Sequence, residues 1–252
     1  MKYYFLVSYL PELSREDKKL KLRLAELLSE MSNFTEKDRR QLELVILARD
    51  ISLIEKLLTG RDTPIENTLY DREFWKDQIK SPKDVEEFFA DFFEACASEG
   101  ATPKNLDRLY ETYYDYVTSQ TDNAFLLAYF QFEKELRNIL AAVRARKKGL
   151  SPADFLVGEG DVVDTLSKSG AEDFGLGKDY PWIDRLLTVK NPAQLEESVD
   201  RIIWDYLDEK TETVDFDFDV ILAYALKLQL LERNLALSEE RGMDIVQQLE
   251  GF

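Results

Sequence analysis

Three carboxylates at alternate positions, Asp215, Asp217 and Asp219, are the residues of this 252-residue chain most suggestive of chemistry. On an extended strand they would share one face and could hold Ca²⁺ or Mg²⁺, as in a carboxylate-based metal hydrolase. No glycine turn or downstream Glu completes an EF-hand-type loop, and acids just ahead of a long helix are favoured by its macrodipole. The sequence therefore places them at a helix start. Gly175-Leu176-Gly177-Lys178 has the look of a phosphate loop but lacks the GxxxxGK[ST] spacing and a preceding strand, so it reads as a loop leading to Pro181-Trp182. Cys96 follows Phe88, Phe89, Phe92 and Phe93 on an apolar segment and is expected to be a buried thiol. Histidine is absent, which removes Ser-His and Cys-His nucleophile pairs and imidazole metal sites. No catalytic, cofactor-binding or metal residue is expected.

The remaining chemistry is charge. With 33 Lys+Arg against 50 Asp+Glu, the net charge of −17 repels phosphate backbones and anionic lipids on average. One stretch reverses the sign: from Glu133 to Lys148, six basic residues face two acidic ones. A helix C-terminus favours such cations, which explains Arg146, Lys147 and Lys148 better than Arg137. Arg137, Arg144, Arg146, Lys147 and Lys148 are accordingly the candidate partner interface, suited to an acidic surface. The apolar opening, Tyr3 to Leu10, is too short and aromatic for a signal peptide and reads as a buried strand or first helical turn. No apolar run approaches the ~20 residues that span a bilayer. A lone cysteine fits a reducing, cytoplasmic setting.

Helices must position these residues. Thr63-Pro64, Ser81-Pro82, Thr102-Pro103, Ser151-Pro152 and Asn191-Pro192 each set a capping side chain before a proline, the pairing favoured at a helix start. Ser14 with Asp17 and Thr35 with Asp38 resemble capping boxes. Helices are predicted near 14–32, 35–59, 63–79, 81–99, 102–120, 122–148, 182–189, 191–210 and 217–250, the last with a possible break at Gly242. The fold class is all-α, a multi-helix bundle. The glycine-richer stretch 157–177 is the candidate linker, dividing an N-terminal helical lobe (1–150) from a C-terminal one (151–252).

Three helices carry stripes at steps of three and four residues: Leu44, Leu47, Ile51, Ile54 and Leu58; Phe125, Tyr129, Phe132, Leu136, Ile139 and Val143; Ile221, Tyr224, Leu228, Leu231 and Leu235. Leu127-Ala128-Tyr129 returns as Leu222-Ala223-Tyr224, and Arg137-Asn138-Ile139 as Arg233-Asn234-Leu235. Arg49-Asp50-Ile51 is a looser version. Mid-helix Asn beside Arg is mildly unfavourable for a helix, so its return suggests pseudo-equivalent units in which a side chain bonds a neighbouring backbone.

At these helices, Tyr3-Tyr4-Phe5-Leu6-Val7-Ser8-Tyr9-Leu10-Pro11 and the block Phe132 to Arg146 resemble an uncharacterised bacterial family encoded with V/A-type ATPase operons. A looser similarity links them to the C subunit of that ATPase (the d subunit in eukaryotes), an all-α funnel of helical repeats, although this chain is shorter than a three-unit funnel. The resemblance implies a fold like that of the C subunit, built of pseudo-repeated helical units, and a non-catalytic role without cofactors. Its partners would be the central stalk and the membrane rotor ring, with no nucleic acid and no direct membrane insertion. It would support proton or sodium transport, at the cytoplasmic face of the inner membrane through those partners. The alternative is a soluble helical adaptor or scaffold outside the ATPase, with the metal hydrolase behind it.

Overall fold

The structure, a computed structural model, describes residues 3–61, 65–83, 85–214 and 217–250. Among these residues the regular elements are all helical: α1 (Tyr4–Tyr9), α2 (Leu24–Ser29), α3 (Glu36–Leu58), α4 (Arg72–Lys80), α5 (Glu87–Glu99), α6 (Pro103–Ser119), α7 (Ala124–Lys147), α8 (Asp161–Lys168), α9 (Ile183–Thr188), α10 (Pro192–Thr211) and α11 (Phe218–Glu250). Short 3-10 turns follow α2 and precede α8. No described helix is long and apolar enough to cross a membrane. The chain divides into two compact units, Met1–Val45 with Asp200–Phe252, and Ile46–Val199. This partition differs from the sequence-based division at residue 151. The glycine-richer stretch 157–177 contains α8, which packs on α7 inside the second unit.

Local sequence explains where several helices start. Thr102 accepts from the backbone N–H of Asn105 at 3.3 Å, Asn191 from Gln194 at 2.9 Å and Asn123 from Leu126 at 2.8 Å, each supplying an acceptor to an N–H that the first turn leaves orphaned. Thr35 likewise accepts from Asp38 ahead of α3. Other starts differ from expectation. Ser81 follows the last residue of α4, and α5 begins only at Glu87, so Ser81-Pro82 stops one helix instead of opening the next. Ser14 and Asp17 close an isolated turn through their backbones and the Asp17 carboxylate, and α2 starts at Leu24. Ser151-Pro152 opens only a 3-10 turn, Pro152–Phe155. Thr63-Pro64 lies outside the described residues, and α4 is capped by Asp71, which accepts from Phe74 at 2.7 Å. The opening segment is helix α1 and not the buried element expected: Tyr3 is buried, but no residue of Tyr4–Tyr9 is. Helix α11 continues through Gly242.

In the first unit, the ring of Tyr3 packs between Phe34 and Phe218, with centroids 5.5 and 5.3 Å away. Tyr224 of α11 donates to the carbonyl of Pro11, and Glu232 accepts from the first N–H of α2. The α11 stripe is buried at Ile221, Tyr224, Leu228 and Leu231 and half-buried at its last member, Leu235. In the second unit α7 buries its whole expected stripe, from Phe125 to Val143. At roughly 1.5–3 kcal/mol per fully buried large apolar side chain, such a stripe outweighs the modest helix propensities of its aromatic and β-branched members. Around it pack α6, α8 and α9. The α4–α5 pair closes over Trp75, which is fully buried with Phe89 at 4.8 Å between centroids. Cys96 is buried on the same aromatic face of α5, and its burial pushes the thiol pKa up, as an inert thiol requires.

Candidate functional site: paired polar clamps in the helical units

Of the residues singled out for chemistry, Asp217 and the Gly175 loop serve local structure. Asp215 lies outside the described residues; Asp217 accepts from the N–H of Phe218 at the start of α11, the helix-start role the sequence suggested. No group of carboxylates and thiols arranged to hold a metal is found among the described residues. In the Gly175 loop the Asp173 carboxylate accepts from the N–H groups of Gly175 (2.9 Å) and Gly177 (3.2 Å), so two amides that a phosphate would need are already satisfied.

The basic end of α7 divides in two. Arg137 pairs with Asp107 of α6 at 3.3 Å and lies over the ring of Tyr110. Arg146 donates to the carbonyls of Ser169, Ala171 and Glu172 and covers the buried Phe174 ring. Lys147 donates to the carbonyls of Leu186 and Val189, the end of α9. These three cations hold the second unit together. Arg144 and Lys148 are exposed.

The feature with the most definite geometry involves Asp50 and Asn138, both buried in the middle of long helices. Asp50 of α3 accepts three hydrogen bonds: from the backbone N–H of Leu69 (2.8 Å), that of Tyr70 (3.1 Å) and the indole N–H of Trp75 (2.8 Å). Asn138 of α7 makes a two-way clamp on Val157, accepting its N–H at 2.8 Å and donating to its carbonyl at 3.0 Å. Each side chain reaches a backbone N–H 19 residues downstream, and the second clamp repeats the first 88 residues on (50 to 138, 69 to 157).

The neighbourhoods repeat as well. Both helices run into a glycine with positive φ, Gly60 (69°) and Gly149 (71°), where a left-handed residue ends the helix without Cβ strain. In both, the next N–H returns to the last turn, Arg61 to Lys56 and Leu150 to Ala145. Each clamped segment leads into a short helix, α4 or α8. The second clamp adds one detail: Gly158 has φ 75°, and the Lys134 side chain occupies the space a Cβ would need.

The clamps differ in charge because their targets differ. Three donors and no acceptor face residue 50, which suits a carboxylate; one donor and one acceptor face residue 138, which suits an amide. Burial pushes the Asp50 pKa up to about 6, against the opposing pull of its three N–H donors. Asp50 is thus an anion at neutral pH, held by dipoles.

A second polar seam ties α3, α6 and α7. Tyr110 donates to Glu55 at 2.6 Å, and burial raises its pKa. Asp107 also has a raised pKa because burial outweighs the attraction of Arg137. Tyr113 is fully buried with its hydroxyl unpartnered, and its pKa is raised well above the ordinary value by burial. The Arg–Asp pairing has a counterpart in the first unit, where Arg233 of α11 pairs with Asp200 of α10. Of the flagged pairs, Arg49-Asp50 and Arg137-Asn138 tie their helices to neighbouring segments through both members, and in Arg233-Asn234 the arginine supplies the tie. The sequence left the 19-residue reach unread, since its only trace is one buried polar residue on an apolar stripe. It also left α8 unread, because glycines flank a helix of eight residues.

These features define a class: an all-helical protein in which two long helices, α3 and α7, fasten their following segments through buried Asx side chains. Within that class, the chain belongs to the family described as "Protein of unknown function (DUF2764)", which matches residues 1–251. An uncharacterized protein of Chlamydia muridarum (strain MoPn / Nigg) is 25% identical over 268 residues, covering 98% of this chain and 97% of that one. No solved structure matches.

Proposed function

We propose that this chain is a non-catalytic coupling subunit of a bacterial V/A-type ATPase, a counterpart of its C subunit between the central stalk and the membrane rotor ring. The observation that carries the reading is the repeated unit: a long helix, a left-handed glycine stop, an Asx clamp 19 residues on and a short helix. A part that does the work of the C subunit is expected to consist of such helical repeats. A torque-bearing spacer needs elements that keep their register under load, and buried, fully bonded Asx side chains fix the segment between two helices at one position.

Adhesion is the other requirement. Phe5 and Tyr9 of α1 are 86% and 89% exposed, aromatic surface of the kind enriched in interfaces. Arg144 and Lys148 offer charge to an acidic partner surface. Mixing the purified chain with the isolated stalk foot, and separately with detergent-solubilised rotor ring, tests the role by co-elution. Binding to both supports coupling, and binding to neither removes it in favour of an adaptor outside the ATPase.

A further inference from the structure

A cleft of about 380 Å³ lies between the end of α3 and one face of α4. Five cations line it: Lys56 and Arg61 at the α3 terminus, and Arg72, Lys76 and Lys80 on α4. Leu57 and Ile79 supply apolar wall, and no carboxylate is among its described lining residues. For a chain of net charge −17, this is a strong local reversal.

Helix stability accounts for only part of it. Lys56 and Lys80 sit in last turns, where cations complement the helix dipole. Arg72 is the first residue of α4, the end where a cation is disfavoured. Arg72, Lys76 and Lys80 also repeat at four-residue spacing, which stacks like charges along one face of a nine-residue helix. Lys76 pairs with Glu73 at 2.7 Å, and Lys56 and Arg72 also have interactions of their own. Five cations converging on one concavity are what recognition of a multiply charged anion requires. The volume is that of a small-molecule site, and Arg forks with Lys point charges suit phosphate oxygens.

We propose that this cleft binds a small polyphosphate anion, either an inorganic phosphate chain or the phosphate tail of a nucleotide. The site is separate from the coupling role and is tested on the isolated chain, so failure of either leaves the other standing. Isothermal titration calorimetry of the full chain with tripolyphosphate and with ATP, at matched ionic strength, should give saturable one-to-one binding to at least one of them. Tighter binding of ATP identifies a nucleotide, and equal binding identifies the phosphate chain alone. The double reversal Arg61→Glu with Lys80→Glu should weaken binding about tenfold or more. Arg144→Glu with Lys148→Glu, the same change in net charge elsewhere, should leave it unchanged. The milder pair Arg61→Gln with Lys80→Gln should give an intermediate loss at an unaltered melting temperature. The proposal is overturned by absence of saturable binding, by equal losses from the two double reversals, or by polyglutamate binding where polyphosphate does not.

Discussion

Converting Asn138 to aspartate changes one atom of a buried clamp and makes the clamp depend on pH. The carboxyl can copy the amide only when protonated: its O–H would donate to the Val157 carbonyl as the amide N–H₂ does at 3.0 Å, while its C=O accepts the Val157 N–H. Ionised, it would turn a carboxylate oxygen toward a carbonyl oxygen at a position that is 1% exposed. A lost buried hydrogen bond plus a poorly compensated charge costs about 2–4 kcal/mol. For a chain of this size that lowers Tm by roughly 5–15 °C. The direction follows from linkage. Folding would raise this carboxyl's pKa above its unfolded value, so the folded state holds the proton more tightly and the variant loses stability as pH rises. Thermal and urea unfolding of Asn138→Asp beside the unsubstituted chain, at pH 5 and pH 8, should show a small deficit at pH 5 and the full deficit at pH 8. A deficit of equal size at both values, or none at pH 8, would refute the clamp as described.

Asp50→Ala should cost about 2–4 kcal/mol at pH 7, because three donors including the Trp75 indole lose their acceptor; a shift in the emission of Trp75 should accompany the fall in Tm. With a folded pKa of about 6 against 3.8 unfolded, Asp50 favours folding increasingly as pH falls from 6 toward 4 and contributes a constant above 6. The stability gap between the unsubstituted chain and Asp50→Ala should therefore widen over that interval in urea titrations. Arg137→Ala removes the Asp107 pair and the Tyr110 ring contact, and should lower stability by about 1–2 kcal/mol in the same assay. Arg144→Glu with Lys148→Glu should leave Tm within a degree or two of the original while reducing co-elution with an acidic partner. Phe5→Ser with Tyr9→Ser should likewise spare Tm and weaken partner binding, because both side chains are exposed.

Much of the helical architecture was legible because its signals are local. The stripes of α3, α7 and α11 set a burial face, and Thr102, Asn191 and Thr35 carry their caps in sequence. Ser81-Pro82 misled because capping side chains and prolines also stop helices, and only the preceding residues of α4 decide which. Gly158 and Gly160 suggested a linker, yet glycine there meets positive φ and the approach of Lys134 in a packed segment. The clamps were half visible. Arg-Asn and Arg-Asp pairs drew notice, but whether a buried Asx faces donors alone or a donor with an acceptor depends on a backbone 19 residues away. The basic cleft joins Lys56 and Arg61 to a face of α4 set by its 3.6-residue period, so it does not show as a run of charge.

Affinity capture of this chain from its native host under gentle lysis, followed by identification and quantification of what accompanies it, bears most directly on the coupling role. V/A-type ATPase stalk and rotor-ring subunits should co-purify in fixed ratio to the bait and should be lost together when Phe5, Tyr9, Arg144 and Lys148 are replaced. Recovery of the chain without those subunits, or with a constant set of unrelated partners in their place, would contradict it.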